Sequence, residues 1–194
     1  MEAKMDTSER QLVLDQLTAS QSRLLAAVVD LTSQQWHFRE APDRWSMAEN
    51  IEHLIRFESF ITQAIANALA RPAEPEKQSQ AASKQPRVLS LGSNESRRAQ
   101  LKAREVVRPT GKWSEPNVLI EEFRRTRART LAFATETDAD LHCHFFPHIA
   151  FGDLDCYQWL LVLSFHTDRH VLQIQQVQAH AVYPESNARS ETPQ

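Results

Sequence analysis

His166 and His170 stand four residues apart inside an apolar run, Leu160 to Phe165 before them and Val171 to Ile174 after. At helical spacing, residues i and i+4 lie on one face, one turn apart. Two imidazoles placed this way can grip one metal ion from a rigid backbone. A zinc protease carries Glu directly after the first His as its general base. Here Thr167 holds that position, which turns the reading away from peptide hydrolysis. Two imidazoles on a buried face need partners for their polar nitrogens. A metal satisfies both, and so does a paired hydrogen-bond network. The spacing alone leaves that choice open.

A third ligand has to come from another helix, and His53 is the best placed, at mid-helix height beside Ile51, Leu54 and Ile55. His37 falls in the first loop and His180 near a frayed end. His142, His144 and His148 share the loop before the last helix, where they are exposed, bind a metal weakly or line a site mouth. His53, His166 and His170 together form a three-nitrogen site with open positions, the catalytic rather than the closed structural kind. Glu49 and Glu58 lie one turn either side of His53 and read as a helix cap and a polar supporting group. Gln173 is placed to support a ligand or touch a substrate. Asp168 and Arg169 point off the histidine row, toward solvent or an interface. Cys156 near a helix start could have a lowered thiol pKa, but Cys143 and Cys156 read more simply as reduced, buried thiols.

Four amphipathic helices have to carry these residues. The first run spans Leu12 to Leu31 behind a capping start at Thr7-Ser8-Glu9-Arg10. Thr32 to Arg44 forms a loop pinned by Trp36 and Phe38. Ser46 with Glu49 is a capping box that opens a second helix, ending near Ala70 ahead of Pro72. Residues 71–115, with Pro72, Pro75 and Pro86 among Ser, Gln and Lys, read as a long, partly mobile connection. A weak helical pattern covers Ser96 to Glu105, and Pro109 to Lys112 makes a turn. Pro116 starts the third helix, buried through Val118, Leu119, Phe123, Thr126, Thr130, Leu131 and Phe133. Its Glu121, Glu122, Arg124, Arg125, Arg127 and Arg129 read as a solvated charged face. Residues 136–153 read as a loop, and the last helix runs from Leu154 to His180, capped by Asp153 or Asp155. The expected fold is an all-α four-helix bundle with a long crossover between the second and third helices. It is one domain over residues 1–183, followed by a flexible tail at 184–194.

Composition narrows the function. The chain has 194 residues, 41% hydrophobic and 24% charged, with a net charge of −3 and only three glycines. This suits one soluble domain with a sizeable core and few of the tight turns of antiparallel sheets. No basic block points to nucleic acid, no apolar stretch could span a membrane, and the N-terminus lacks a signal-peptide core. Cytoplasm is the expected location.

The motifs resemble those of the DinB-like family of metal-binding four-helix bundles, which includes YfiT-like hydrolases and thiol-dependent S-transferases. Three carry the likeness, in order. They are Trp45-Ser46 leading to Glu49-Asn50-Ile51-Glu52-His53-Leu54, then Phe123 to Arg127, then Gly152 to Trp159 leading to His166-Thr167-Asp168-Arg169-His170. The resemblance extends over most of residues 8–180. It implies that His53, His166 and His170 hold a divalent metal, commonly nickel or zinc. It also implies a small-molecule substrate, a low-molecular-weight thiol as possible cofactor, and pairing into a homodimer. Thiol transfer is the leading activity, with metal-dependent hydrolysis or a non-catalytic, stress-related metal module as alternatives.

Overall fold

The computed structural model describes residues 4–93, 103–113 and 115–185. Four long helices form the body: α1 (Thr7–Ala27), α3 (Met47–Leu69), α6 (Pro116–Glu136) and α7 (Cys156–Gln178). Short helices α2 (Ser33–His37), α4 (Gln78–Ala82) and α5 (Gln85–Leu89) sit in the connections. No described helix is long and apolar enough to cross a membrane. The four-helix bundle is as expected.

The helix starts follow local chemistry. Asp6, not the Thr7–Arg10 stretch, caps α1 in a box with Glu9. Ser46 and Glu49 cap α3, and Asp155 with Gln158 caps α7. In each box a side chain answers backbone N–H groups that have no partner within the helix.

Packing pairs α1 with α7 and α6, and α3 with α6 and α7. So α1 lies diagonally across from α3, and α6 from α7. The connections from α1 to α3 and from α6 to α7 must therefore cross the bundle, which a tight turn cannot do. The two joining segments carry structure of their own. The first holds α2, placed where the sequence reads as loop, with Trp36 only 3% exposed. The second corrects the expectation of an irregular loop at 136–153. It contains a two-stranded antiparallel hairpin, β1 (Phe145–His148) with β2 (Gly152–Asp155), pairing Phe145 with Asp155 and His148 with Gly152. Strands of four residues are too short to display an alternating pattern, and Pro147 hides one of them. Gly152 takes a positive φ of 67° at the turn, which a side chain would resist.

The connection from α3 to α6 is built onto the bundle. Its Val88 and Leu91 are buried in the core with Leu160, Leu161 and Leu163, and its Ala81 is buried as well. Gln158 Nε2 donates to the Ala81 carbonyl at 2.7 Å. Residues 96–102 of the weak helical pattern at Ser96–Glu105 lie outside the described residues; Glu105 opens a 3-10 turn to Val107. The Pro109–Lys112 turn is present, with Gly111 at positive φ.

His142 joins the capping groups of two bundle helices. Its Nε2 lies 3.1 Å from Glu9 of the α1 box, and its Nδ1 lies 3.5 Å from the α7 cap Asp155. The hydrogen bond and charge of Asp155, with Glu9 adding, push the imidazole up to about 9. Asp155 itself stays above the usual carboxylate range, because its burial outweighs the pull of His142. A folded-state pKa raised above the unfolded value stabilises the fold fully below about 6.5, and that stability is lost as pH rises through about 9. Urea unfolding should therefore show a loss of about 1–2 kcal/mol between these limits. His142→Gln should remove that slope; an unchanged slope in the variant would refute the assignment.

Candidate metal centre

Adjacent helices α3 and α7 bring the three predicted histidines together. His53 and His170 are buried and His166 is partly buried. One ligand atom from each lies within 4.8 Å of the others, and His53 Nε2 is 3.0 Å from His166 Nε2. Phe57 packs on the His166 ring with centroids 4.0 Å apart. Trp45 lies 4.8 Å from the His53 ring and stacks near His170 at 15°. These aromatic walls limit how far each imidazole can rotate.

Hydrogen bonds fix which nitrogen of two rings faces inward. His53 Nδ1 lies 2.7 Å from the Val107 carbonyl. A carbonyl only accepts, so Nδ1 carries the proton and Nε2 carries the lone pair. His170 Nδ1 lies 2.7 Å from Asn50 Oδ1. Asn50 Nδ2 donates to the carbonyls of Trp45 and Ser46 at 3.3 and 2.8 Å, which sets the amide with Oδ1 toward the ring. His170 Nδ1 is therefore also the donor, and its Nε2 is free to coordinate. Outer partners that orient the rings in this way are the mark of a metal-binding histidine set.

Electrostatics keep the rings in their ligand form. Burial pushes His53 down to about 4, with Arg56 assisting and the Val107 hydrogen bond opposing. Burial also holds His166 and His170 well below the ordinary range. With its Nδ1 protonated, His53 Nε2 accepts the 3.0 Å hydrogen bond and His166 Nε2 donates it; a divalent ion would replace that shared proton and draw all three lone pairs to one centre. The donor set fits such an ion.

The neighbouring acidic groups are engaged elsewhere. Glu49 completes the α3 cap and pairs with Arg39 at 2.6 Å. Glu52 accepts from the turn at Thr110, Gly111 and Lys112. Glu58 is buried against Arg127, whose Nε and Nη2 both reach its carboxylate at 2.9 Å. Arg127 is thus a correction to the solvated face expected on α6: it is 0% exposed. Val118 departs in the other direction, exposed at 48%. Thr167 turns to the same interior, accepting from Arg127 Nη2 at 3.0 Å. A glutamate there would meet Arg127, not an ion held by the histidines.

A family profile described as the DinB superfamily matches residues 16–174. The chain belongs to the DinB superfamily. No curated protein sequence matches it significantly. Among solved structures it is similar to YfiT from Bacillus subtilis, described as a probable metal-dependent hydrolase with an unusual four-helix bundle topology. The likeness has a TM-score of 0.58 at 15% identity and covers 90% of this chain and 88% of that one. At that identity the shared property is the fold.

The histidines of this DinB chain open onto a cavity of about 740 Å³. Gln173 lines it, as the sequence allowed. So does Arg169, only 8% exposed; its expected outward position is wrong. His148 lines the cavity too, while His142 and His144 are tied to Glu9, Asp155 and the Ala68 carbonyl. Phe145 is buried, Phe146 is stacked 4.4 Å from Trp159, and Trp113 packs partly buried under Lys112. None of the three forms an exposed patch. Cys156 is fully buried and its thiol is pushed up to about 12 by burial, so it does not serve as a nucleophile. Val107 was not singled out from the sequence, and Trp45 and Asn50 stood in the first motif without a role at the site. Asn50 alone left a signal: it precedes His53 by one helical turn.

Proposed function

We propose that this chain is a divalent-metal enzyme that transfers a small thiol to or from an electrophile in the cavity, with nickel or zinc on His53, His166 and His170. A divalent ion on three neutral imidazoles supplies a Lewis acid that stabilises a bound anion such as thiolate at neutral pH. The chain's residues do the rest. Asn50 and the Val107 carbonyl hold the inward nitrogens of His170 and His53 free of protons. Trp45 and Phe57 cover the rings and exclude water on their sides. Gln173 and Arg169 face the space where a substrate would lie.

The observation that carries the choice of thiol over water is the fate of the carboxylates. Hydrolysis ordinarily needs a general base beside the reacting water. Glu49, Glu52 and Glu58 on α3 are all committed to other partners, as is Glu40 on the cavity wall, which takes Arg44; Asp43 on the same wall is the carboxylate whose substitution separates the two readings. A thiol ionises more readily than water and makes less demand on such a base. Hydrolysis is the second reading, favoured by the description of YfiT. The two buried, free cysteines fit a reducing, cytoplasmic setting.

Elemental analysis of the purified protein should find close to one divalent ion per chain. A screen of electrophiles against small thiols should then show turnover that disappears with chelator and returns with metal. Ester hydrolysis without thiol dependence would replace this reading with the second. A metal-loaded protein inactive in both assays would leave a binding module.

A further inference from the structure

We infer that the cavity holds a subsite for an anionic oxygen group, carboxylate or phosphate, built by Arg104 and Arg108, so that the small molecule bound there is an organic anion with an apolar body. This deepens the proposed function, since it concerns the ligand of the same cavity.

The two arginines lie on a segment that α3 holds firmly in place. The Glu52 carboxylate accepts from Thr110 N at 2.9 Å, Thr110 Oγ1 at 2.8 Å, Gly111 N at 2.8 Å and Lys112 N at 3.4 Å. Arg56 Nη2 donates to the Val106 carbonyl at 2.9 Å, and His53 Nδ1 to Val107 at 2.7 Å. Val107 itself is buried, at 4% exposure. Arg104 and Arg108 bracket it as the two ends of the 3-10 turn, and both line the cavity. Arg108 Nε donates to the Ala103 carbonyl at 3.3 Å, which leaves its Nη1–Nη2 edge to meet a ligand. A planar guanidinium edge suits two oxygens of a carboxylate or phosphate.

The charge balance of the wall supports an anion. Arg44, Arg104, Arg108 and Arg169 line the cavity; among the described residues the acids there are Glu40 and Asp43. Arg44 takes Glu40 at 2.7 Å. The chain as a whole carries −3, so this cationic wall runs against the overall composition. Arg104 adds to burial in holding His148, another lining residue, at about 4. Phe57, Phe146 and Trp159 supply the apolar part of the wall.

The test uses the quenching of Trp45 and Trp159, which both line the cavity, as a binding signal. Three probes share one body: 3-phenylpropionate, its neutral amide, and phenethyl phosphate. Each is titrated into metal-loaded and metal-free protein, with metal content measured independently. At least one anion should bind about tenfold or more tightly than the amide in both forms. The doubly substituted Arg104→Gln/Arg108→Gln protein should lose that preference while keeping its metal content and thermal midpoint. Comparing the two anions names the favoured group. A preference that survives the double substitution would place the anion on another group, and one that exists only with metal present would assign it to the ion; either overturns the subsite. Equal binding of all three probes would overturn it too. Neither result bears on turnover, so failure here is distinguishable from failure of the thiol-transfer reading.

Discussion

Arg127→Ala should cost the fold about 3–5 kcal/mol, a large share of the stability of a domain this size. Arg127 is fully buried, and its guanidinium touches every helix of the bundle. Nη1 donates to the Leu17 carbonyl at 2.7 Å and to Ser20 Oγ at 2.9 Å on α1. Nε and Nη2 hold Glu58 on α3, and Nη2 reaches Thr167 on α7. Alanine leaves Glu58 buried at 2% exposure with its counter-charge gone, which is where most of the cost arises. The pair's own contribution is smaller, because both charges lost water on folding. Glu58→Leu/Arg127→Met should therefore recover much of the stability lost in Arg127→Ala. Urea unfolding of the three proteins measures this directly. A single variant within about 1 kcal/mol of the parent would show that the buried network does not hold the bundle.

Arg127 also shows what the sequence could and could not convey. Helical phase places it on the Leu119–Phe123 row, four residues beyond Phe123, and that row is buried. Periodicity therefore pointed inward. The residue type pointed outward, because arginine is almost never buried without a partner, and Glu58 lies sixty-nine residues away. Nothing local announces such a pair. Arg169 was misplaced for the same reason. It is buried on the wall of a cavity, which a sequence does not display. The histidines behaved oppositely. Their i, i+4 spacing and apolar flanks fixed their face, and Ser46–Glu49 fixed where α3 begins and hence the height of His53. Local rules of capping and phase were legible in the chain. The diagonal placement of α1 and α3 was not, because helix pairing depends on contacts between distant segments. The β hairpin stayed hidden because its strands are shorter than any periodic signal.

His166→Ala should abolish stoichiometric metal binding, and Asn50→Leu should weaken it without abolishing it. The two substitutions separate ligand from support. Removing His166 leaves two nitrogens on α3 and α7, too few to complete a three-histidine set. Asn50 donates no ligand atom. Its Oδ1 holds the proton on His170 Nδ1 at 2.7 Å, which keeps Nε2 free to coordinate. Leucine has nearly the same volume but no acceptor. The ring is then free to turn or to adopt the other tautomer. Loss of an outer partner of this kind costs about 10–100-fold in metal affinity. Asn50→Asp keeps the acceptor and should retain more affinity than Asn50→Leu, although its charge replaces an amide that also donates to Trp45 and Ser46. Competition against a chelator of known affinity gives the three values, with thermal unfolding as the check on folding. Full metal content in His166→Ala would sink the site. Parent-like affinity in Asn50→Leu would show instead that the walls of Trp45 and Phe57 alone orient the rings.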